Sequence, residues 1–209
     1  MQTCLSSYVF DYVIRQKIAG THLTYGYLYQ LPVPELSDFA DAPGGAKWFI
    51  DRVAELAWTS RDLTDFAKDL GYSGMPFRWS DDRRALLRAE LDAALFLLYG
   101  VGRDDAHYVM ETFSVVRRED EAAHGTYRTQ DLILDIYDRM AEARETGRAY
   151  QTVLDPPPGE GPVTRGEPRS RLRSRSVEAA PPGLGGELSP GGPCERELRA
   201  ARSWSPVRE

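Results

Sequence analysis

The chain has 209 residues and carries 26 Lys and Arg against 32 Asp and Glu, a formal net charge of −6 at pH 7. The charge is unevenly distributed, because residues 1–155 have a net charge of −8 (17 basic against 25 acidic) and residues 156–209 one of +2 (9 against 7). Nonspecific affinity for DNA comes from neutralising phosphates, so a folded part at −8 is excluded as a general binder of polyanions. Any DNA contact must be local, or must depend on neighbouring domains.

The sequence of residues 1–42 predicts a short helix followed by an extended segment. Two serines precede apolar residues at helical spacing, which indicates a capped helix within residues 6–20. Residues 21–30 are rich in Thr and Tyr and fit either a strand or a tight turn. Leu31-Pro32-Val33-Pro34 must be extended, because each proline disfavours helix in the residue before it. The acidic run that follows, up to residue 45, is expected to be a linker.

Residues 43–155 predict a helical domain, because apolar residues recur there at helical spacing. Helices are expected around residues 49–57, 63–70, 81–99, 106–113 and 129–146. The strongest of them has Ser80 as its N-cap and Gly100 as its stop. The predicted fold class is mainly α, with a small extended segment at the front, a helical domain after it and a disordered tail at the end.

The tail, residues 156–209, holds ten of the fourteen prolines and eight of the eighteen glycines. Such a composition cannot bury enough apolar surface to offset the entropy of ordering, so disorder is expected there. Cys4 and Cys194 stand far apart and, with three scattered histidines, form no zinc-ligand spacing. The composition suits a reducing cytoplasm. No apolar run reaches the length of a membrane span, so no membrane partner is expected.

Four segments form a series in chain order. They are Phe10-Asp11-Tyr12-Val13-Ile14-Arg15-Gln16-Lys17-Ile18-Ala19-Gly20-Thr21-His22-Leu23, Gln30-Leu31-Pro32-Val33-Pro34, Arg88-Ala89-Glu90-Leu91-Asp92-Ala93-Ala94 with Leu98-Tyr99-Gly100-Val101, and residues 127–138. Together they resemble the C-terminal end of large adenine-specific DNA methyltransferases of the type IIG restriction–modification class and of the BREX and DISARM phage-defence systems. The first two resemble the helix-then-glycine passage that closes the target-recognition region and its extended exit. The last two resemble the C-terminal helix with its Leu-Tyr-Gly stop and the final helix.

The resemblance implies a domain organisation and a set of partners. Residues 1–42 would end a target-recognition region, residues 43–155 would form a C-terminal helical domain, and residues 156–209 a disordered tail. In that family the methyl donor is S-adenosylmethionine and the substrate is a short sequence in duplex DNA. The implied partners are therefore DNA, bound weakly by this chain alone, and a catalytic methyltransferase chain. Thr24-Tyr25-Gly26-Tyr27 departs from the family, which usually has an Asn and paired aromatic residues there.

The sequence contains no catalytic, cofactor-binding or metal-binding motif. Adenine methyltransferases use an Asn/Asp-Pro-Pro-Tyr/Phe loop whose aromatic ring stacks on a flipped base, and Asp155-Pro156-Pro157-Pro158 lacks that ring. The glycine run 183–186 has no flanking strand, unlike a turn that binds S-adenosylmethionine. Glu119-Asp120-Glu121 is expected to be a solvated helix face rather than part of a nuclease metal site. This chain alone is therefore not expected to transfer a methyl group.

One cluster has the residue types of a DNA contact, with two cations, two hydroxyl groups and an imidazole around a helix end. Its members are Arg15, Lys17, Thr21, His22 and Thr24. Such groups contact phosphates or base edges in recognition modules. The alternative is an ordinary polar helix end.

For two other groups of residues, a structural role is favoured over a functional one. Arg83, Arg84 and Arg88 are expected on a salt-bridged solvent face. The carboxylates expected to surround them are Asp81, Asp82, Glu90 and Asp92. The tyrosines at positions 25, 27 and 29 alternate as on a strand, so a half-buried strand face is favoured over stacking on bases.

Three functional hypotheses follow from the sequence. The leading one is the C-terminal piece of a site-specific adenine DNA methyltransferase, contributing to target recognition and not to catalysis. The second is a non-catalytic helical interaction module. The third is a non-functional remnant of a truncated gene.

Overall fold

The computed structural model describes residues 2–18, 20, 22–42, 44–155 and 158 of the chain. The helices are α1 (Gln2–Leu5), α2 (Tyr8–Lys17), α3 (Tyr25–Leu28), α4 (Leu36–Asp41), α5 (Gly45–Ala57), a 3-10 turn (Arg61–Leu63), α6 (Thr64–Asp69), α7 (Asp81–Leu98), α8 (Arg103–Glu111), α9 (Ser114–His124) and α10 (Arg128–Thr146). No strand occurs among the described residues, so the expected mainly α fold is confirmed. None of the helices in those residues is long and apolar enough to cross a membrane. The disorder expected for residues 156–209 falls outside the described part of the chain, Pro158 apart.

Serine caps fix two of the helix starts. The Ser7 hydroxyl accepts a hydrogen bond from the Phe10 amide at the start of α2, and the Ser80 hydroxyl accepts one from the Arg83 amide at the start of α7. Such a bond satisfies one of the amides that the first turn of a helix leaves without a partner. Both helices therefore begin where the sequence predicts.

The core is built around the two longest helices, α7 and α10, which pack along each other. Helices α2 and α8 pack against this pair. One continuous cluster of buried apolar residues draws on all four helices, so residues on both sides of position 43 share a core. Its most deeply buried large members include Phe10, Leu95, Phe96, Met110 and Ile133.

At the front of the chain, the structure decides between the two alternatives for residues 21–30 and contradicts the expected linker. The strand alternative for residues 21–30 fails, because Tyr25–Leu28 is the helical turn α3, closed by hydrogen bonds from the Tyr27 and Leu28 amides to the Thr24 carbonyl. Within the expected linker, α4 forms because Glu35 and Asp38 make a reciprocal capping box. Residues 31–34 contain no helix or strand, as predicted.

Candidate functional site

The predicted DNA-contacting cluster lies at the end of α2 and in the segment after it. Arg15 and Lys17 stand in the last turn of α2. His22 and Thr24 are exposed beyond it, and Thr21 lies outside the described residues. No hydrogen bond between described residues joins His22 or Thr24 to the two cations. The structure therefore places the cluster at one helix end without organising it into a preformed site.

The charge of Arg15 is compensated within the protein. Its guanidinium is bound to the Asp11 carboxylate one turn earlier, with an Nη2–Oδ2 distance of 2.7 Å, and its Cζ lies 4.6 Å from the centre of the Phe113 ring. An exposed pair of this spacing is worth only about 0.5 kcal/mol. A phosphate can therefore displace Asp11, but Arg15 contributes less to DNA affinity than an unpaired cation would.

The tyrosines at positions 25, 27 and 29 do not form the expected half-buried strand face. Tyr25 and Tyr29 stand one helical turn apart, so they share one side of α3, where they are 77% and 86% exposed. Tyr27 is half-buried. The β-propensity of Thr and Tyr is overridden here, because local helical hydrogen bonds form and no strand is available in the described residues for pairing.

The expectation of a salt-bridged solvent face for Arg83, Arg84 and Arg88 is only partly right. Arg83 pairs with Glu55 of α5, and the Arg84 guanidinium donates to the Leu56 carbonyl at 2.8 Å. Both arginines therefore hold α5 against α7 rather than facing solvent. Arg88 alone of the three is exposed. Of the four carboxylates expected around these arginines, Glu90 and Asp92 are buried.

Glu90 is the centre of a buried polar network, although it was expected on the surface. It is fully buried, and its Oε2 accepts from the Arg52 guanidinium of α5 at 2.6 Å. Its Oε1 accepts from the Tyr150 hydroxyl at 2.9 Å, the Thr152 hydroxyl at 2.7 Å and the Val153 amide at 3.0 Å. The network thus ties the segment after α10 to α5 and α7.

The charged groups of this network are mutually dependent. Burial lowers the pKa of the Arg52 guanidinium, and the Glu90 carboxylate opposes that shift. Burial also raises the pKa of Tyr150, with Glu90 adding to the effect, so the phenol stays protonated and donates. Arg52 further lies over the Trp48 ring, 3.5 Å from its centre. Loss of the carboxylate would leave the buried Arg52 cation without its counter-ion and three part-buried donors without their acceptor.

Asp92, the other buried carboxylate of α7, caps α2. It is 5% exposed, and its Oδ1 accepts from the Tyr8 amide at 2.8 Å. Burial raises the pKa of Asp92 from 3.8 to about 7, while the Tyr8 hydrogen bond and the Arg88 charge oppose that shift. The carboxyl therefore takes up a proton near neutral pH.

The Asp92 shift predicts a pH dependence of stability. Because the pKa of Asp92 is raised in the folded state, protonation of this carboxyl stabilises the folded protein. That stabilisation is complete below about pH 4 and is lost as the pH rises through about 7. Between pH 5 and pH 8, wild type is expected to lose about 1–3 kcal/mol more unfolding free energy than Asp92→Asn. Urea unfolding at the two pH values measures this, with Asp65→Asn, an exposed aspartate, as the control. Equal pH dependence in wild type and Asp92→Asn would contradict the assignment.

Two shallow clefts meet at Arg88 and Asp92, with volumes of about 200 and 490 Å³. The larger is lined by residues of α1, α2, α7, α9 and α10 and carries both signs of charge. Two of its charged groups are already engaged, since Asp120 accepts from the Thr129 amide at 2.6 Å and Arg128 pairs with Asp82 at 3.1 Å. The charges of this cleft therefore select no single class of ligand. In the described part of the chain, no cluster of His, Cys, Asp and Glu side chains could hold a metal ion.

Hydrogen bonds join the second, third and fourth of the segments that carry the methyltransferase resemblance, and the third also caps the helix that carries the first. Asp92, in the third segment, caps α2, which carries the first segment. The Tyr99 hydroxyl, also in the third segment, donates to the Pro32 carbonyl of the second segment at 2.9 Å. The Tyr137 hydroxyl of the fourth segment donates to the Val101 carbonyl of the third, also at 2.9 Å.

Among known proteins, no family model, no curated protein and no solved structure matches the chain.

Proposed function

We propose that the chain is the C-terminal, non-catalytic part of an adenine-specific DNA methyltransferase of the restriction–modification or phage-defence kind, acting in the cytoplasm. One observation supports this most: the four segments that resemble the family follow one another in the family's order between residues 10 and 138. In the fold, the Tyr99 and Tyr137 side chains join neighbouring segments of this series, and Asp92 caps α2, which carries the first segment.

In this proposal the helical domain positions the end of the target-recognition region. That end is attached at two places, through the Asp92 cap on α2 and through the bond from Tyr99 to Pro32. A recognition surface held on rigid helices is oriented more accurately than one on a free loop. S-adenosylmethionine and the target adenine would be bound by another part of the enzyme, because the motifs for both are absent here.

DNA binding by this chain alone is expected to be weak and to depend on the front cluster. The net charge of −8 on residues 1–155 opposes approach to phosphates. Replacing Arg15 and Lys17 together by Ala should lower the slope of log K against log salt by about two at most. Arg15→Ala alone should lower it by less than about one, because the phosphate must displace Asp11.

Gel-shift titrations at two salt concentrations measure these slopes. Arg84→Ala is the matched control, since its guanidinium is engaged with the Leu56 carbonyl and the Trp79 ring. Loss of binding in Arg84→Ala, together with unchanged binding in the double variant, would move the recognition surface to the helical domain.

A second candidate function is a non-catalytic interaction module, and one observation favours it. The segment from Leu23 to Leu36 exposes several large apolar side chains, as a protein-binding surface does. This function differs from the first in needing no methyltransferase nearby.

The genomic DNA upstream of the Met1 codon distinguishes the two functions. The methyltransferase proposal predicts codons for an Asn/Asp-Pro-Pro-Tyr/Phe loop and a Gly-x-Gly turn, in one of the three frames or in the adjoining gene. Their absence from all of these would leave the interaction module as the better account.

A further inference from the structure

The surface of residues 23–36 is unusually apolar for a solvent-facing segment. Five large apolar side chains are exposed along it, and we call them the apolar front surface. They are Leu23 at 47%, Tyr25 at 77%, Tyr29 at 86%, Val33 at 37% and Leu36 at 80% exposure. All five lie within fourteen residues of the chain, and a concentration of exposed large apolar side chains is typical of a binding surface.

The segment that carries this surface is fixed to the core. Leu31 is buried, Leu28 packs against the core, and the Pro32 carbonyl accepts from the Tyr99 hydroxyl. At its C-terminal end, Phe39 packs edge-on against Phe49 of α5, with ring centres 5.0 Å apart. The inner side chains therefore anchor the segment while the outer ones face solvent, which reduces the entropy lost on binding.

The negative charge of the same segment indicates which kind of partner it can bind. There is no Lys or Arg between Lys17 and Lys47, whereas Glu35 and Asp38 lie within or beside the surface. Nucleic acid is disfavoured on this segment, because phosphates would meet Glu35 and Asp38 there, whereas the cations Arg15 and Lys17 belong to α2. A second copy of the chain is disfavoured as well, since a two-fold pair would bring the same carboxylates together.

We propose that the apolar front surface binds an amphipathic, basic helix of another protein. Apolar side chains of that helix would cover Tyr25, Tyr29 and Leu36, and its flanking Lys or Arg residues would lie near Glu35 and Asp38. Exposed tyrosines suit such a role, since they supply a large contact area with few rotatable bonds. The surface would have this property whether or not the chain belongs to a methyltransferase.

Fluorescence anisotropy with two labelled peptides tests the proposal. One is an amphipathic Leu/Lys helix and the other a Leu/Glu helix of the same pattern. The Leu/Lys peptide should bind, and the combined change Tyr25→Ser, Tyr29→Ser and Leu36→Ser should weaken it by at least about tenfold. The control Val115→Ser removes an exposed apolar side chain from α9 and should leave the affinity unchanged.

A second pair of substitutions tests whether the carboxylates beside the apolar front surface contribute to binding. Glu35→Gln and Asp38→Asn keep an acceptor for the capping box of α4, and together they should weaken the Leu/Lys peptide several-fold at low salt only. Equal affinity for both peptides, no saturable binding, or binding that the serine changes leave intact would each overturn the proposal. So would a single-stranded oligonucleotide bound through the same tyrosines, or a dimer in sedimentation that the serine changes dissociate.

Discussion

Replacing Glu90 with Ala is expected to lower the free energy of unfolding by about 3–5 kcal/mol. The carboxylate is fully buried and accepts from the Arg52 guanidinium, the Tyr150 and Thr152 hydroxyls and the Val153 amide. Its removal leaves the buried Arg52 cation without its counter-ion, although Arg52 keeps its bonds to Trp48 and Thr152, and leaves three part-buried donors without their acceptor. This loss is a large share of the total stability of a domain of this size.

Urea unfolding measures the effect, and the chain offers a matched control. Asp135 pairs with Arg139 at 2.8 Å, but both side chains are more than half exposed. Asp135→Ala removes a carboxylate from an ion pair just as Glu90→Ala does, yet it should cost only about 0.5 kcal/mol. Similar urea midpoints for the two variants would contradict the buried network.

A double variant separates the pair from its surroundings. In Arg52→Met with Glu90→Leu the buried charges are both removed, so the loss should be smaller than the sum of the two single losses. The Tyr150 and Thr152 hydroxyls and the Val153 amide still lose their acceptor in this variant. The remaining loss of unfolding free energy therefore contains the attachment of the segment after α10 together with the contacts of Arg52 to Trp48 and Thr152.

Helix positions could be predicted from the sequence where local signals were strong. Helix α7 has both a serine cap and an apolar stripe, and it begins at the predicted residue. Helix α10 likewise begins within a residue of its predicted start and ends at Gly147, which adopts a left-handed φ of +66°. Helix α9 was not predicted from apolar spacing, because Val115 and Val116 are the only large apolar residues between Ser114 and His124. Its charge run 119–121 does lie on a helix, as expected.

The buried carboxylates could not be assigned from composition alone. Glu90 was grouped with its charged neighbours, but its spacing carries a signal: it stands three residues after Leu87 and four before Ala94, on the apolar stripe of α7. A carboxylate on such a stripe needs buried partners. Those partners, Arg52 and the residues around Thr152, are distant in sequence, so only the fold brings them together.

The candidate site was predicted in its residue types but not in its electrostatics. The sequence identified the cations of α2, yet it did not indicate that Asp11 and Phe113 would engage Arg15. It also favoured a strand for the tyrosines around position 27. It therefore did not predict that Tyr25 and Tyr29 lie on the same exposed side of a helical turn. Tertiary contacts and local helical bonds decide both features.

The most direct test of the methyltransferase proposal measures N6-methyladenine in the genome of cells that express the separate catalytic chain which that proposal predicts. That chain would be expressed alone, with this protein, with its Glu90→Ala variant, and with its Asp135→Ala variant. Wild type and Asp135→Ala should each give methylation of one short sequence motif, whereas the catalytic chain alone and the Glu90→Ala combination should leave that motif largely unmethylated. Equal methylation of the motif without this protein, or no methylated motif in any of the four strains, would contradict a role in target recognition.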